Sequence, residues 1–227
     1  HAGDRLFVNG KEGSLDDLDG KTYRYPARVR YAGPSSTPMT EEGAKEILDV
    51  FEGLRWTDKI NGKLAVGWAV LAPVCGAMKW RPHIWVTGPS GSGKSTVVNE
   101  LIAPLLGDMS LQVQGSTTEA GIRQRLNDDA LPVIFDEAEQ NETQDKTRIQ
   151  GLLALMRQAS TDGKSQQIKG SGGGISQNFN IRSAFCLASI VPGIKQLADE
   201  NRITQLELSG RVAVTPDQIA ADANRWE

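Results

Sequence analysis

The sequence has little of the chemistry that most readily announces a site. Two cysteines, Cys75 and Cys186, and two histidines, His1 and His83, are spread over 227 residues, too few and too scattered for a zinc ribbon or finger. Both thiols sit in apolar runs, LAPVCGAM and AFCLASI, where a cysteine reads as a small buried hydrophobe of a reducing cytoplasm and not as a catalytic or disulfide-forming group. Excess charge is also missing. With 25 Lys and Arg against 28 Asp and Glu, the net charge is −3, so the chain does not wrap nucleic acid by bulk electrostatics and any such contact must be local. The longest uncharged stretch, Leu64 to Met78, has 15 residues, contains Pro73 and is closed by Lys63 and Lys79, which falls short of a bilayer span. No signal peptide is recognisable, so a cytoplasmic location and no membrane partner are expected. The chain opens with histidine, which reads as a fragment of a longer polypeptide. What remains, 39% hydrophobic and 23% charged residues, is ordinary globular composition with room for one well-cored domain and a small appendage.

Three stretches differ in texture. Residues 1–35 read as a small β appendage: LFV leads into Asn9-Gly10, a strong hairpin dipeptide, and TYRYPARVRY follows with rough alternation. Residues 36–80 read as a helical segment packing on the core. Thr40 with Glu41 and Glu42 marks a helix start, and Ala44, Ile47, Leu48, Phe51 and Leu54 form its stripe; Leu64 to Met78 is apolar nearly all round, predicting a helix buried on all sides beneath a sheet or in a subunit interface. Residues 81–227 alternate short apolar runs with helical patterns, the signature of a parallel sheet with crossover helices. Strands are predicted at about 83–87, 111–115, 131–136, 183–190 and 203–208, and Ile149, Leu152, Leu153 and Met156 give the clearest helical spacing.

Directly after the apolar run HIWVT stands GPSGSGKST: Gly88, Pro89, Ser90, Gly91, Ser92, Gly93, Lys94, Ser95 and Thr96. This is the full Gly-x-x-x-x-Gly-Lys-Ser pattern in its strand-loop-helix context. Glycines let successive backbone N–H groups turn inward around phosphate oxygens where side chains would collide. The helix N-terminus adds a positive dipole. Lys94 supplies a point charge to the β and γ phosphates of ATP, and Ser95 offers a hard oxygen to Mg2+. Forty-two residues after Lys94, LPVIFDEAEQ places Asp136 and Glu137 at the carboxyl end of a strand, the edge at which open α/β sheets bind ligands. Asp136 would hold the metal through water, and Glu137 would orient and deprotonate an attacking water. A small-molecule kinase needs no such base, so the pair favours an ATPase that drives movement.

With these residues in view, about Trp68 to Leu208 resembles the AAA+ ATPase domain of phage and plasmid replication proteins, close to superfamily-three helicases and often fused to a primase. GWAVLAPVCGAMKWRPHIWVTGPSGSGKST, GSTTEAGIRQRLNDDALPVIFDEAE, RSAFCLASI and LADENRITQLEL carry the likeness. The resemblance implies an α/β P-loop NTPase, AAA+-like, with a central parallel five-stranded sheet flanked by helices. It implies Ser189 as a polar group sensing the γ phosphate, a place where the family at large often has asparagine; a small residue filling a strand end is the alternative. It implies Arg202 as the arginine that enters a neighbouring subunit's ATP, hence a ring, expected as a hexamer, with Arg182 and Arg211 in reserve and a local ion pair to Asp199 or Glu200 as the alternative. A primase domain in the same polypeptide is a further implied partner. After the last strand 19 residues remain, too few for the usual AAA+ lid, so no second sensor arginine is named.

KSQQIKGSGGGISQNFNIRS reads as a glycine-tipped hairpin, and superfamily-three helicases carry a pore hairpin at this place. Lys169 at the tip, with Lys164, would contact the phosphates of single-stranded or forked DNA without reading bases; a plain surface loop is the alternative. Arg123 in TTEAGIRQRL is a further nucleic-acid candidate. KTYRYPARVRY at 21–31 can stack bases and neutralise phosphates, or form half-buried strand. Other readings stay open: an AAA+ remodeller of proteins, a small-molecule kinase, or a nucleotide-switched binding module.

Overall fold

A computed structural model describes residues 6–8, 11–13, 38–127, 129–136, 143–161, 167–170, 176–194 and 196–210. Near the amino end, β1 (Leu6–Val8) and β2 (Lys11–Gly13) pair antiparallel with Val8 opposite Lys11, the hairpin that Asn9-Gly10 announces. KTYRYPARVRY lies outside the described residues.

Helix α1 (Glu41–Glu52) starts at Thr40, whose Oγ1 accepts the Gly43 N–H at 3.1 Å, with Glu41 and Glu42 beside the positive helix end. Helix α2 (Ile60–Leu71) passes into a 3-10 turn over Ala72–Ala77, where Pro73 has no N–H to continue the α pattern. The expectation of a helix buried on all sides needs correcting. Ala65, Trp68, Ala69, Ala72 and Cys75 are buried, whereas Val70 (70% exposed) and Val74 (55%), with Ile60, Leu64 and Leu71, face outward. One sheet covers only one side of a helix, and the other side is exposed in the single chain; it is the side that the subunit-interface reading would cover. By length and composition alone Ile60–Ala77 could cross a membrane. Its buried face, however, shares a cluster with Ile84 and Val86 of the sheet, the situation of a core helix.

The sheet is formed by β3 (His83–Thr87), β4 (Leu111–Gln114), β5 (Val133–Asp136), β8 (Phe185–Ser189) and β9 (Ile203–Glu207). Their order is β4-β5-β8-β3-β9, with all neighbours parallel. The three central strands, HIWVT, VIFD and FCLAS, are buried at every residue, while the edges LQVQ and ITQLE are only partly covered, as expected when helices pack on both faces. Period-two alternation sorts the strands between two cores. Ile84, Val86, Ile134, Cys186 and Leu206 join the α1–α2 side; Trp85, Val133, Phe135, Phe185 and Leu187 join α4 (Glu119–Leu126) and α5 (Thr143–Ala159). The α5 stripe Ile149, Leu152, Leu153 and Met156 is wholly buried. Residues 55–57 cover the free edge of β9, Thr57 N–H donating to Glu207 O at 2.9 Å and Ser209 N–H to Arg55 O at 2.7 Å.

At the amino ends of the strands a buried polar cluster ties the layers together. Arg81, fully buried, donates through Nε to Cys75 O (2.9 Å) and through Nη1 to Ala159 O (3.1 Å). His83 Nδ1 accepts the Phe185 N–H at 3.1 Å, which leaves Nε2 to carry the proton toward Met156 O at 2.9 Å. Burial pulls this imidazole down to about 4 against the opposing hydrogen bond to Met156 O, and the charges of Arg81 and Arg202 add smaller effects in the same direction as burial. Finally, β6 (Gln167–Gly170) and β7 (Ser176–Phe179) pair antiparallel, Lys169 opposite Gln177, as the hairpin reading requires.

Candidate nucleotide site

Because the five strands are parallel, their carboxyl ends share one edge, and the sequence-predicted phosphate residues gather there. Gly88 leaves β3 with φ +149°, and Gly91 (φ +74°) and Gly93 (φ +96°) continue the turn. A Cβ on Gly88 would lie 2.6 Å from Leu208 O and 2.8 Å from Ser92 Oγ, so this glycine is required by space as well as by backbone angle. Around Gly93 a Cβ would meet no atom within 4 Å. The loop is therefore open on the side where Gly93 stands.

Lys94 folds back over the loop, Nζ donating to Gly88 O at 2.8 Å and Pro89 O at 2.9 Å. Exchanging these neutral carbonyls for anionic phosphate oxygens would add direct attraction between opposite charges to bonds that the ammonium already makes. Ser92 Oγ is buried with no hydrogen-bond partner, a donor that a phosphate oxygen could satisfy. Open space, a retractable ammonium and an orphaned hydroxyl fit a phosphate group. Ser95 and Asp136 add hydroxyl and carboxylate oxygens, donors suited to a hard divalent cation such as Mg2+.

Past Ser95 the helix departs from the regular form implied by VVNELIAPLL. Thr96–Ile102 is π-helical and α3 (Ala103–Leu106) follows. Pro104 cannot donate to Glu100 and its ring would crowd that carbonyl, so the preceding turn widens and Ala103 N–H reaches Val98 O instead. Within this wide turn Asn99 Nδ2 donates to Asp136 Oδ2 at 2.7 Å. Asp136, only 8% exposed, ends β5, and its negative charge adds to burial in pushing the Cys186 thiol of the next strand up. Burial likewise raises Cys75, which donates to Ala130 O at 3.0 Å; both cysteines are free, buried thiols. Glu137 lies outside the described residues.

Strand β8 runs between β3 and β5, so Ser189, in register with Thr87, stands between the phosphate loop and Asp136. Its hydroxyl is already engaged: it accepts from Trp85 Nε1 at 2.8 Å and donates to Val191 O at 2.9 Å. A γ-phosphate contact would require the Val191 bond to open.

Arg202 lies immediately before β9, at the opposite edge of the sheet from the loop. Five residues of strand at about 3.3 Å each separate the two edges by roughly 16 Å. The local pair with Asp199 or Glu200 is not what holds it. Arg202 Nη1 donates to Ala198 O at 2.6 Å and its guanidinium stacks 6.0 Å from the Trp80 ring, while Asp199 pairs with Arg157 at 2.7 Å. Arg123 is corrected as a nucleic-acid contact. It is 3% exposed, ion-paired with Glu119 one turn before it and bonded to Gln158 of α5 at 3.4 Å, so it links two helices and cannot face a ligand. Lys169 stands in β6; Lys164, Arg211 and the hairpin tip lie outside the described residues. Asn99 and the engagement of Ser189 were not visible in the sequence, since both depend on partners distant in the chain.

Residues 84–162, spanning the loop and Asp136, match the family model described as RNA helicase. Over that segment the chain is similar to helicases, motors driven by nucleoside triphosphates, in agreement with the resemblance read from the sequence. No curated protein matches the chain. Among solved structures, one similar chain is the JCV helicase with a bound thiazolopyridinyl-phenoxyphenyl acetamide, at 11% identity and a TM-score of 0.40, covering 80% of this chain. This chain spans 56% of that helicase's length.

Proposed function

We propose that this chain is the Mg-ATP-dependent AAA+ motor of a DNA helicase or translocase of phage or plasmid replication, assembled as a six-membered ring and working in the cytoplasm beside a primase domain of the same polypeptide. The observation that carries the reading is the open phosphate loop, with Lys94 bonded, among the described residues, to the Gly88 and Pro89 carbonyl oxygens and Asp136 at the adjoining strand ends. Backbone N–H groups of Ser90 to Thr96 and the Lys94 ammonium bind and orient the triphosphate. Ser95 and Asp136 would hold Mg2+, which when bound neutralises charge on the phosphates. Glu137, next along from Asp136, accepts a proton from the attacking water. Arg202, too far from its own loop, acts in a neighbour's site. The β6–β7 hairpin contacts the strand through Lys169 and Lys164 in a sequence-blind way.

ATP turnover with and without single-stranded DNA, and with RNA because the matched family model bears that description, tests the proposal, with Glu137→Gln as the variant that binds and does not hydrolyse. DNA should stimulate turnover, and Lys169→Ala should leave basal turnover intact while removing stimulation and lowering the salt slope by about one phosphate contact per engaged subunit. Stimulation by RNA alone would refute the DNA assignment; undiminished stimulation in the Lys169 variant would refute the hairpin's role.

A further inference from the structure

The site contains one side chain whose placement is not explained by phosphate binding. Asn99 stands on the outer surface of the turn after the loop, where asparagine is a poor helix former and alanine would serve the backbone better. Although the residue is exposed, its amide is engaged within the protein. Its amide spans to a strand 37 positions away and donates to Asp136 Oδ2 at 2.7 Å, a bond strengthened by the carboxylate's charge. Because residues one helical turn apart share a face, this contact also puts Ser95, one turn earlier, on the side of the helix that meets the end of β5. The wide turn created ahead of Pro104 carries Asn99 to this point.

Resting on the nucleotide reading above, we infer that Asn99 is the positioning residue for the metal-side carboxylate: its amide fixes Asp136 by one oxygen and so sets the orientation in which the carboxylate meets Mg2+. The donor's neutrality matters. A lysine or arginine there would hold the carboxylate equally well and cancel the charge that attracts a cation, whereas an amide orients it and leaves that charge in place. Groups that orient metal-binding carboxylates in this way typically change metal affinity by about 10–100-fold when removed.

The test separates metal from phosphate. A fluorescent ATP analogue is titrated into the wild-type chain, Asn99→Leu, which keeps the shape without the donor, and Asn99→Gln, which keeps a donor, each in EDTA and across a series of Mg2+ concentrations, with the melting temperature recorded. The expected result is unchanged affinity in EDTA for all three, a Mg2+ midpoint raised about tenfold or more in Asn99→Leu, and partial recovery in Asn99→Gln. A wild-type Mg2+ midpoint in Asn99→Leu overturns the inference while the phosphate site stands. Equal loss in EDTA and in Mg2+ overturns it as well, because the residue would then shape the loop and not the carboxylate. A wild-type chain that binds no analogue under any condition overturns the nucleotide reading itself, and this inference with it.

Discussion

Two glycines of the phosphate loop should fail in different ways when given a methyl group, and the contrast tests whether the open space beside Gly93 belongs to a ligand. At Gly93 an added Cβ meets no protein atom within 4 Å, so Gly93→Ala bears only the strain of φ +96°, about 1–3 kcal/mol. A domain of this size loses about 2–4 °C of Tm per kcal/mol, so the variant remains folded at room temperature. At Gly88 the same strain is joined by a collision with Leu208 O at 2.6 Å, backbone of the strand end that also donates Leu208 N–H to Thr87 O at 2.8 Å. Forced overpacking adds about 1–3 kcal/mol, for a combined loss of about 2–6 kcal/mol. Ligand linkage then discriminates. ATP with Mg2+ at 100 times its Kd should stabilise the wild-type chain by about 2.7 kcal/mol, a rise of about 5–10 °C. In Gly93→Ala the methyl occupies the phosphate's place, so that rise should vanish while the apo Tm falls by about 2–12 °C; in Gly88→Ala the apo Tm should drop about twice as far, by about 4–24 °C. Differential scanning fluorimetry with and without Mg-ATP reads both. A full ATP-dependent rise in Gly93→Ala would refute the reasoning, because the open space would then not be where phosphate binds.

Arg202→Ala should reduce hydrolysis by about 10³–10⁵-fold with little change in ATP affinity, and mixing it with Lys94→Ala should restore some turnover by pairing an intact arginine with an intact loop; a fully active monomer, or no recovery in verified mixed rings, would exclude action across a boundary. His83 should make stability fall on acidification. Its folded-state value, about 4, lies below the ordinary 6.5, so between those values the unfolded chain takes up a proton that the folded chain refuses; the contribution is complete above pH 6.5, and about 3 kcal/mol is lost as pH falls through that window to about 4. Urea unfolding of the wild-type chain and His83→Gln at pH 7, 5.5 and 4.5 measures the difference, and identical pH slopes would show that His83 is not held neutral.

What could be read in advance follows from how local each feature is. The three central strands were legible because a strand buried on both faces must be a continuous apolar run, and HIWVT, LPVIFD and AFCLAS are such runs. The phosphate loop was legible because its residues act through their own backbone. Arg123 was misread although its partner, Glu119, stands four residues before it, for a helix pattern of this length does not say which polar face meets the next helix. The helix over Leu64 to Met78 was legible only in part for a related reason, its sheet-facing side being buried and its other side exposed in the single chain. Composition reports that a surface is apolar, while whether a second layer covers it depends on elements far away, and one sheet leaves Val70 and Val74 bare.

The site's finer settings were hidden in the same way, and their physics says why. Trp85 and Ser189 meet across 104 positions and Asn99 and Asp136 across 37, so neither pair leaves a spacing in the sequence. Both are single hydrogen bonds accepted by a side chain at a strand end, and both stand beside a motif that was legible. Ser189 is the sharper case. A serine there can accept from Trp85 and donate to Val191 O simultaneously, holding the chain after β8 close to the sheet. Its one proton cannot serve Val191 and a phosphate oxygen together. A response of Ser189 to nucleotide would therefore open its bond to Val191 O, at the start of the segment that leads through α6 (Leu197–Glu200) to Arg202.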